Sequence, residues 1–235
     1  MASRLRSVRI LSWSLIGCNL LVFAKWHLVP TKPGSSQMQQ RQQAAAHQYH
    51  MLENYTISQR NIEQGRYKTL LTSAFSHKDI GHLAVNMFML HQSCSIAAMV
   101  GLGPVRVGAL ALGSALAGSA GSLYDAKAMT KKGGPDTHGL GASGMVQGML
   151  VGTMMAVPRL PMNLMFIPIP VAYRTLVLGF LGWDMYKLYE QRTSGRHKEN
   201  WHGSFVGYAA HLGGAAFGAV FYALSMRRGR LPPLR

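Results

Sequence analysis

The stretch THGLGASGMVQGMLVGTMMAVP (Thr137–Pro158) contains no Asp, Glu, Lys or Arg. It joins a glycine-rich opening to an apolar run long enough to cross a bilayer, for which roughly 18 or more apolar residues suffice. Working outward, three further runs are equally free of formal charge: Ile80–Val105, Val107–Tyr124 and Trp201–Met226. Four such runs in 235 residues are more than soluble core helices account for. Only 14% of the chain is charged and 48% is hydrophobic, against about 25% charged residues in a typical soluble domain. The expected class is all-α and polytopic.

Two less uniform spans bring the count to six: about 9–28, 82–101, 106–124, 141–158, 166–188 and 203–225. The first extends past Lys25, whose long stem lets its ammonium reach the interface. The fifth carries Arg174 and Asp184, with Pro168 and Pro170 near its start. The net charge of +16 is spread over loops and tails, so phospholipid headgroups or organelle targeting explain it better than nucleic acid. Cys18 and Cys94 both fall inside spans, which leaves neither a disulfide framework nor a metal cluster. An even number of spans puts both ends on one side, with Arg4, Arg6, Arg9, Arg106, Arg159 and the tail arginines 227, 228, 230 and 235 but no acid. The opposite side has more basic residues together with Glu53, Glu63, Asp79, Asp125, Asp136, Glu190 and Glu199. A Lys/Arg count therefore assigns no orientation.

Three units follow. Residues 1–65 hold an Arg- and Ser-rich tail, the first span and a long first connection whose part 31–48 is polar, low in complexity and expected to be mobile. Residues 66–226 form the core, with the span at 9–28 in the same bundle, and 227–235 are a basic tail. The acid-poor N-terminus has the composition of a mitochondrial presequence or a simple anchor. Against a mitochondrial inner-membrane location stands one glycosylation sequon, Asn54-Tyr55-Thr56, usable only in the secretory lumen.

Polar side chains inside apolar spans cost free energy unless paired, which makes them functional candidates. His82 and Asn86 stand at i and i+4 on one face. Ser143 sits just after the glycine turn that opens its span. Gly207, His211, Gly214 and Gly218 share one stripe of the last span. Gly144, Gly148, Gly214 and Gly218 belong to GxxxG pairs, which let helix backbones approach closely in a bilayer. If those faces meet, His211 is carried to within reach of Ser143. A serine hydroxyl becomes nucleophilic when a neighbouring base takes its proton, and neutral imidazole can do so. The free N–H groups at the start of the Ser143 helix, with His82 and Asn86, could face the developing oxyanion.

HLAVN (82–86), GASG (141–144) and AHLGGAAFG (210–218) resemble the three signatures of the rhomboid intramembrane serine proteases, in order and on the matching spans. The resemblance implies a six-helix core in which Ser143 is the nucleophile and His211 the general base. It places His82, Asn86 and the Ser143 backbone N–H in the oxyanion hole, and has Gly141 shape the turn before the nucleophile. RYKTLLTSAFSH (66–77) and FIPIPV (166–171) are similar to the mitochondrial, presenilin-associated branch. Two departures stand out. Gln147 occupies a position where many bacterial members have a Tyr stacked on the catalytic histidine, and the extra span usual before the core in that branch is not seen here.

The implied reaction cuts peptide bonds in or near the transmembrane segment of single-span membrane proteins, without metal or other cofactor. The first connection and the fifth span are candidate gates. Asp184, near the far end of its span, reads as structural or interfacial. A GxSxG elbow fails at Met145, and the HExxH of a zinc protease is missing. The alternative is an inactive rhomboid-like protein that binds or escorts membrane clients, which loss of Ser143 or His211 would have favoured.

Overall fold

The chain was described from a computed structural model covering residues 2–131, 133–134, 136–164, 167–194 and 207–227. Helix α1 (Ala2–His27) is long and apolar, and has the basic residues Lys25 and His27 in its last turn, with the Lys25 cation suited to a helix C-terminus. The Lys25 ammonium donates to the Tyr55 hydroxyl at 3.1 Å. The first connection departs from expectation. Residues 31–48, read as mobile, include most of a helix, α2 (Gln37–Tyr55), started by a capping box between Ser36 and Gln39. The alanines and glutamines that look low in complexity are good helix formers. Two short helices follow, α3 (Gln59–Glu63), capped by Ser58, and α4 (Thr69–Thr72), which runs into a 3₁₀ turn at Ser73–Phe75.

Helix α5 (Ile80–Met99) is started by Asp79, whose side chain accepts the His82 N–H at 2.7 Å. Helix α6 (Pro104–Thr130) has its proline in the first turn, where the missing N–H costs nothing. Helix α7 (Ser143–Ala156) has only 14 residues, roughly 21 Å at 1.5 Å per residue. An antiparallel hairpin, β1 (Pro161–Leu164) and β2 (Ile167–Ala172), comes next, so the described residues are mostly helical with one two-stranded exception. The fifth span is corrected accordingly. Its helix, α8 (Tyr173–Ser194), begins seven residues after the expected start, because Pro168 and Pro170 disfavour a helix in the residues before them. Helix α9 (Tyr208–Phe221) closes the bundle and continues as a π turn, Tyr222–Met226. The expected start of the last span (203–206) and the tail arginines 228, 230 and 235 lie outside the described residues.

Helices α6, α7 and α9 form the packed centre, α1 lies on α5, α5 on α7, and α8 on the flank of α9 and α7. Leu90, Leu110, Met145 and Met149 are fully buried there. Large apolar side chains such as Leu21, Val105, Leu178 and Leu224 instead face outward, the arrangement of a protein solvated by lipid. Among the described residues, three helices can cross a membrane by length and composition: Ser3–His27, Pro104–Thr130 and Tyr208–Met226.

Candidate active site

The glycine faces meet. A β-carbon on Gly214 would run into the Gly144 carbonyl, and one on Gly218 into the Gly148 carbonyl. On the third side, a β-carbon on either Gly118 or Gly144 would lie 3.1 Å from the Ala210 carbonyl oxygen. Three backbones therefore touch where Ser143 begins α7 and His211 lies in the first turn of α9. Gly207 stands just before α9 as its N-cap. Because Ser143 is the first residue of α7, the N–H groups of the first turn have no acceptor in their own helix.

The turn before Ser143 is held from several directions. Gly141 has φ +125°, a conformation glycine adopts without strain. A β-carbon there would lie 2.8 Å from Cε1 of His82, so His82 sits directly against the turn. Gly141 N–H donates to the Ser73 carbonyl at 2.9 Å, and Gly139 and Ile57 exchange two backbone hydrogen bonds of 2.8 Å. Ala142 N–H donates to Nε2 of His77 at 3.3 Å. His77 is fully buried, and burial, with His82 nearby, pushes its pKa down to about 3. Neutral His77 thus accepts through Nε2 and carries its proton on Nδ1. Farther up the loop, Asp136 accepts the Gln59 and Arg60 N–H groups at 3.1 and 3.0 Å. His138 Nδ1 lies 2.8 Å from the Thr56 hydroxyl, and burial lowers its pKa against the opposing pull of Asp136.

Two side chains differ from expectation. Asp184 is nearly buried and its Oδ1 lies 3.0 Å from Nδ1 of His211. It faces the histidine from the middle of α8 rather than standing near the far end of its span, where the sequence put it. Its sequence signal was a carboxylate among apolar residues; what could not be seen was the helix start at Tyr173, which shifts Asp184 from the end of its span to the middle of α8. Asn86 Nδ2 donates to the His82 carbonyl at 2.9 Å, which engages one of its two amide N–H bonds along its own helix and leaves the second. Tyr208, one turn before His211, meets the imidazole edge-on at 6.1 Å between centroids. Gln147 is buried, and its Nε2 has no partner among the described residues.

A cavity of about 70 Å³ reaches Ser143 from between α6 and the 137–141 loop, with Ser73, Ser119, Ser122, His138 and Gln191 among its polar lining. A water needs roughly 10–15 Å³ by this measure and two or more polar partners, so the cavity has room for several. A hydroxyl at a helix N-terminus thus opens on the polar chamber, and an imidazole backed by a carboxylate lies in the first turn of the adjoining helix.

A family profile for the Rhomboid domain matches residues 64–228. The chain is 36% identical over 194 residues to "RHOMBOID-like protein 12, mitochondrial" of Arabidopsis thaliana, covering 78% of this chain and 53% of that protein. It is 30% identical over 213 residues to "Rhomboid protein 1, mitochondrial" of Saccharomyces cerevisiae, covering 90% and 52% respectively. The chain thus spans about half the length of these curated relatives.

Proposed function

Because the chain belongs to the rhomboid family, whose members are generally serine intramembrane proteases, we propose that it is an intramembrane serine endopeptidase acting through Ser143 and His211. It is an integral protein of a mitochondrial membrane, as its apolar helices and mitochondrial relatives indicate; we place it in the inner membrane with six crossing spans. The observation that carries the reading is the interlocked glycine face of α7 and α9, which sets the first turn of α9 against the first turn of α7.

In the proposed mechanism His211 takes the Ser143 proton as the hydroxyl attacks a substrate carbonyl, then gives it to the leaving amine. Asp184 orients the imidazole through Nδ1 and stabilises its cation. The N–H of Ser143, with His82 beside it, faces the oxyanion; Asn86 joins through the amide N–H that the His82 carbonyl does not take. Water for the second half-reaction comes through the polar chamber. Substrates are single-span membrane proteins whose helix unwinds locally, since an intact helix hides its carbonyls in internal hydrogen bonds. An inactive, client-binding role is the competing reading within the family. The test reconstitutes the protein with a single-span reporter and a fluorophosphonate probe. Wild type cleaves and labels; Ser143→Ala and His211→Ala each lose at least about 10³-fold of the cleavage rate. Full cleavage by Ser143→Ala would sink the mechanism.

A further inference from the structure

Beyond the catalytic centre, at the opposite end of the bundle, α1 and α5 enclose a cleft of about 420 Å³. Its walls come from two helical faces in register: Arg6, Arg9 and Ser12 on α1, and His91, Ser95 and Ala98 on α5. Arg6 and Arg9 are exposed at the lip, whereas Ser12 is buried at the inner end, 3.3 Å from His91 Nδ1. Arg4 donates to the Gly101 carbonyl at 3.1 Å and pins the start of α1 to the end of α5. The cleft is therefore held by a built contact rather than by two loose helix ends.

The charge around it is one-sided. The same end of the bundle carries Arg106 at the start of α6, Arg159 after α7, Arg174 at the start of α8 and Arg227 after α9. Every described Asp and Glu lies at or beyond the middle of the bundle, toward the other end. A cationic pair at the mouth of an interhelical cleft, on a wholly basic face at headgroup level, matches an anion with an apolar tail. A soluble anion would gain only the arginines, while a phospholipid also covers the outward apolar side chains Leu5 and Ile10.

We propose that this cleft binds the phosphate of an anionic phospholipid, with Arg6 and Arg9 on the phosphate and Ser12, His91 and Ser95 toward the glycerol. The site stands apart from Ser143 and does not depend on proteolytic activity.

The test measures thermal unfolding of the full chain in bilayers of phosphatidylcholine alone and of an equimolar mixture with phosphatidylglycerol. Binding to the folded state alone raises Tm, here by about 3–6 °C. The Arg6→Gln/Arg9→Gln pair weakens phosphatidylglycerol binding about thirtyfold, which is about 1 kcal/mol for each arginine, and abolishes that shift. Ser95→Phe, at an exposed position, fills the cleft without altering charge and abolishes it too. Arg106→Gln/Arg159→Gln removes the same charge from the same face outside the cleft and keeps the shift. Equal loss in both arginine pairs, or a shift that survives Ser95→Phe, would mean diffuse surface attraction and overturn the proposal. An equal shift from glycerol phosphate added to phosphatidylcholine bilayers would assign the cleft to a soluble phosphate and overturn the lipid.

Discussion

At the scale of single residues, the pair of His211 and Asp184 carries the sharpest consequence. A two-residue mechanism leaves the imidazole to be oriented by packing alone. Here a carboxylate only 5% exposed sits 3.0 Å from Nδ1, which favours the tautomer that leaves Nε2 for the proposed role of base. Asp184→Asn keeps the shape and removes the charge. It should lower kcat by about 10²–10⁴-fold with KM little changed, by analogy with the loss of an orienting carboxylate elsewhere. The rate of fluorophosphonate labelling should fall in parallel, and Asp184→Glu should recover part of both. Unchanged labelling by Asp184→Asn would show that the carboxylate serves structure alone. Tyr208 against the same imidazole offers a physical answer to the missing aromatic at 147: the ring is buttressed from its own helix.

At the scale of elements, the turn 139–142 is positioned by neighbours far away in sequence. His77 is the most telling because it is fully buried and must stay neutral to accept from Ala142. Its folded pKa of about 3 lies below the unfolded value near 6.5. The unfolded chain therefore binds more protons between those limits, and stability falls as pH drops from about 6.5 toward 3. The loss at the acid end is at most about 5 kcal/mol for this group. His77→Gln keeps an acceptor and removes the titration, so its unfolding midpoint should fall less steeply with acid than that of wild type. Parallel slopes would remove His77 from the account.

The glycine face is a second test at this scale. Gly214→Ala drives a methyl into the Gly144 carbonyl, backbone that cannot step aside, and should cost about 1–3 kcal/mol along with most activity. Gly17→Ala, on the same kind of helix but facing open space, should be neutral in the same unfolding and cleavage assays. Equal effects would mean that the α7–α9 approach is not as close as described.

At the scale of the molecule, what could be read in advance follows from what each signal measures. Charge-free runs and GxxxG spacing report burial in lipid and helix contact, which are local and periodic, so the helices and the meeting of α7 with α9 were legible. Helix boundaries near Pro168 and Pro170 were not, because a hairpin of apolar residues has the same composition as a span. The helix over 37–55 was hidden by its polarity, and Asp184 by that misplaced start of α8. His77 escaped because its role is an acceptor for one N–H, and nothing in spacing marks such a contact.

The six-span arrangement can itself be tested. The charged residues toward the two ends of the bundle divide into a basic set (Arg106, Arg159, Arg227) and a mixed set (Arg41 in the first connection, Asp125, Glu190). If α5, α7 and α8 cross along with the three more apolar helices, each set lies on one side. Helix α7 is the weak link, since roughly 21 Å is less than the ~30 Å hydrocarbon core. A short helix fits only if Ser143 starts below one surface, under a cover such as α2 to α4 and the 137–141 loop. Cys18 and Cys94 are the two cysteines of the chain, and Cys18→Ser/Cys94→Ser gives a background for single cysteines. Introduced at 106, 159 or 227, a cysteine should react with a membrane-impermeant maleimide from one side of a sealed vesicle. Introduced at 41, 125 or 190, it should react from the other side only. A cysteine at 159 that labels with the second set would mean that α7 turns back instead of crossing, and Ser143 would then lie at a surface rather than within the bilayer.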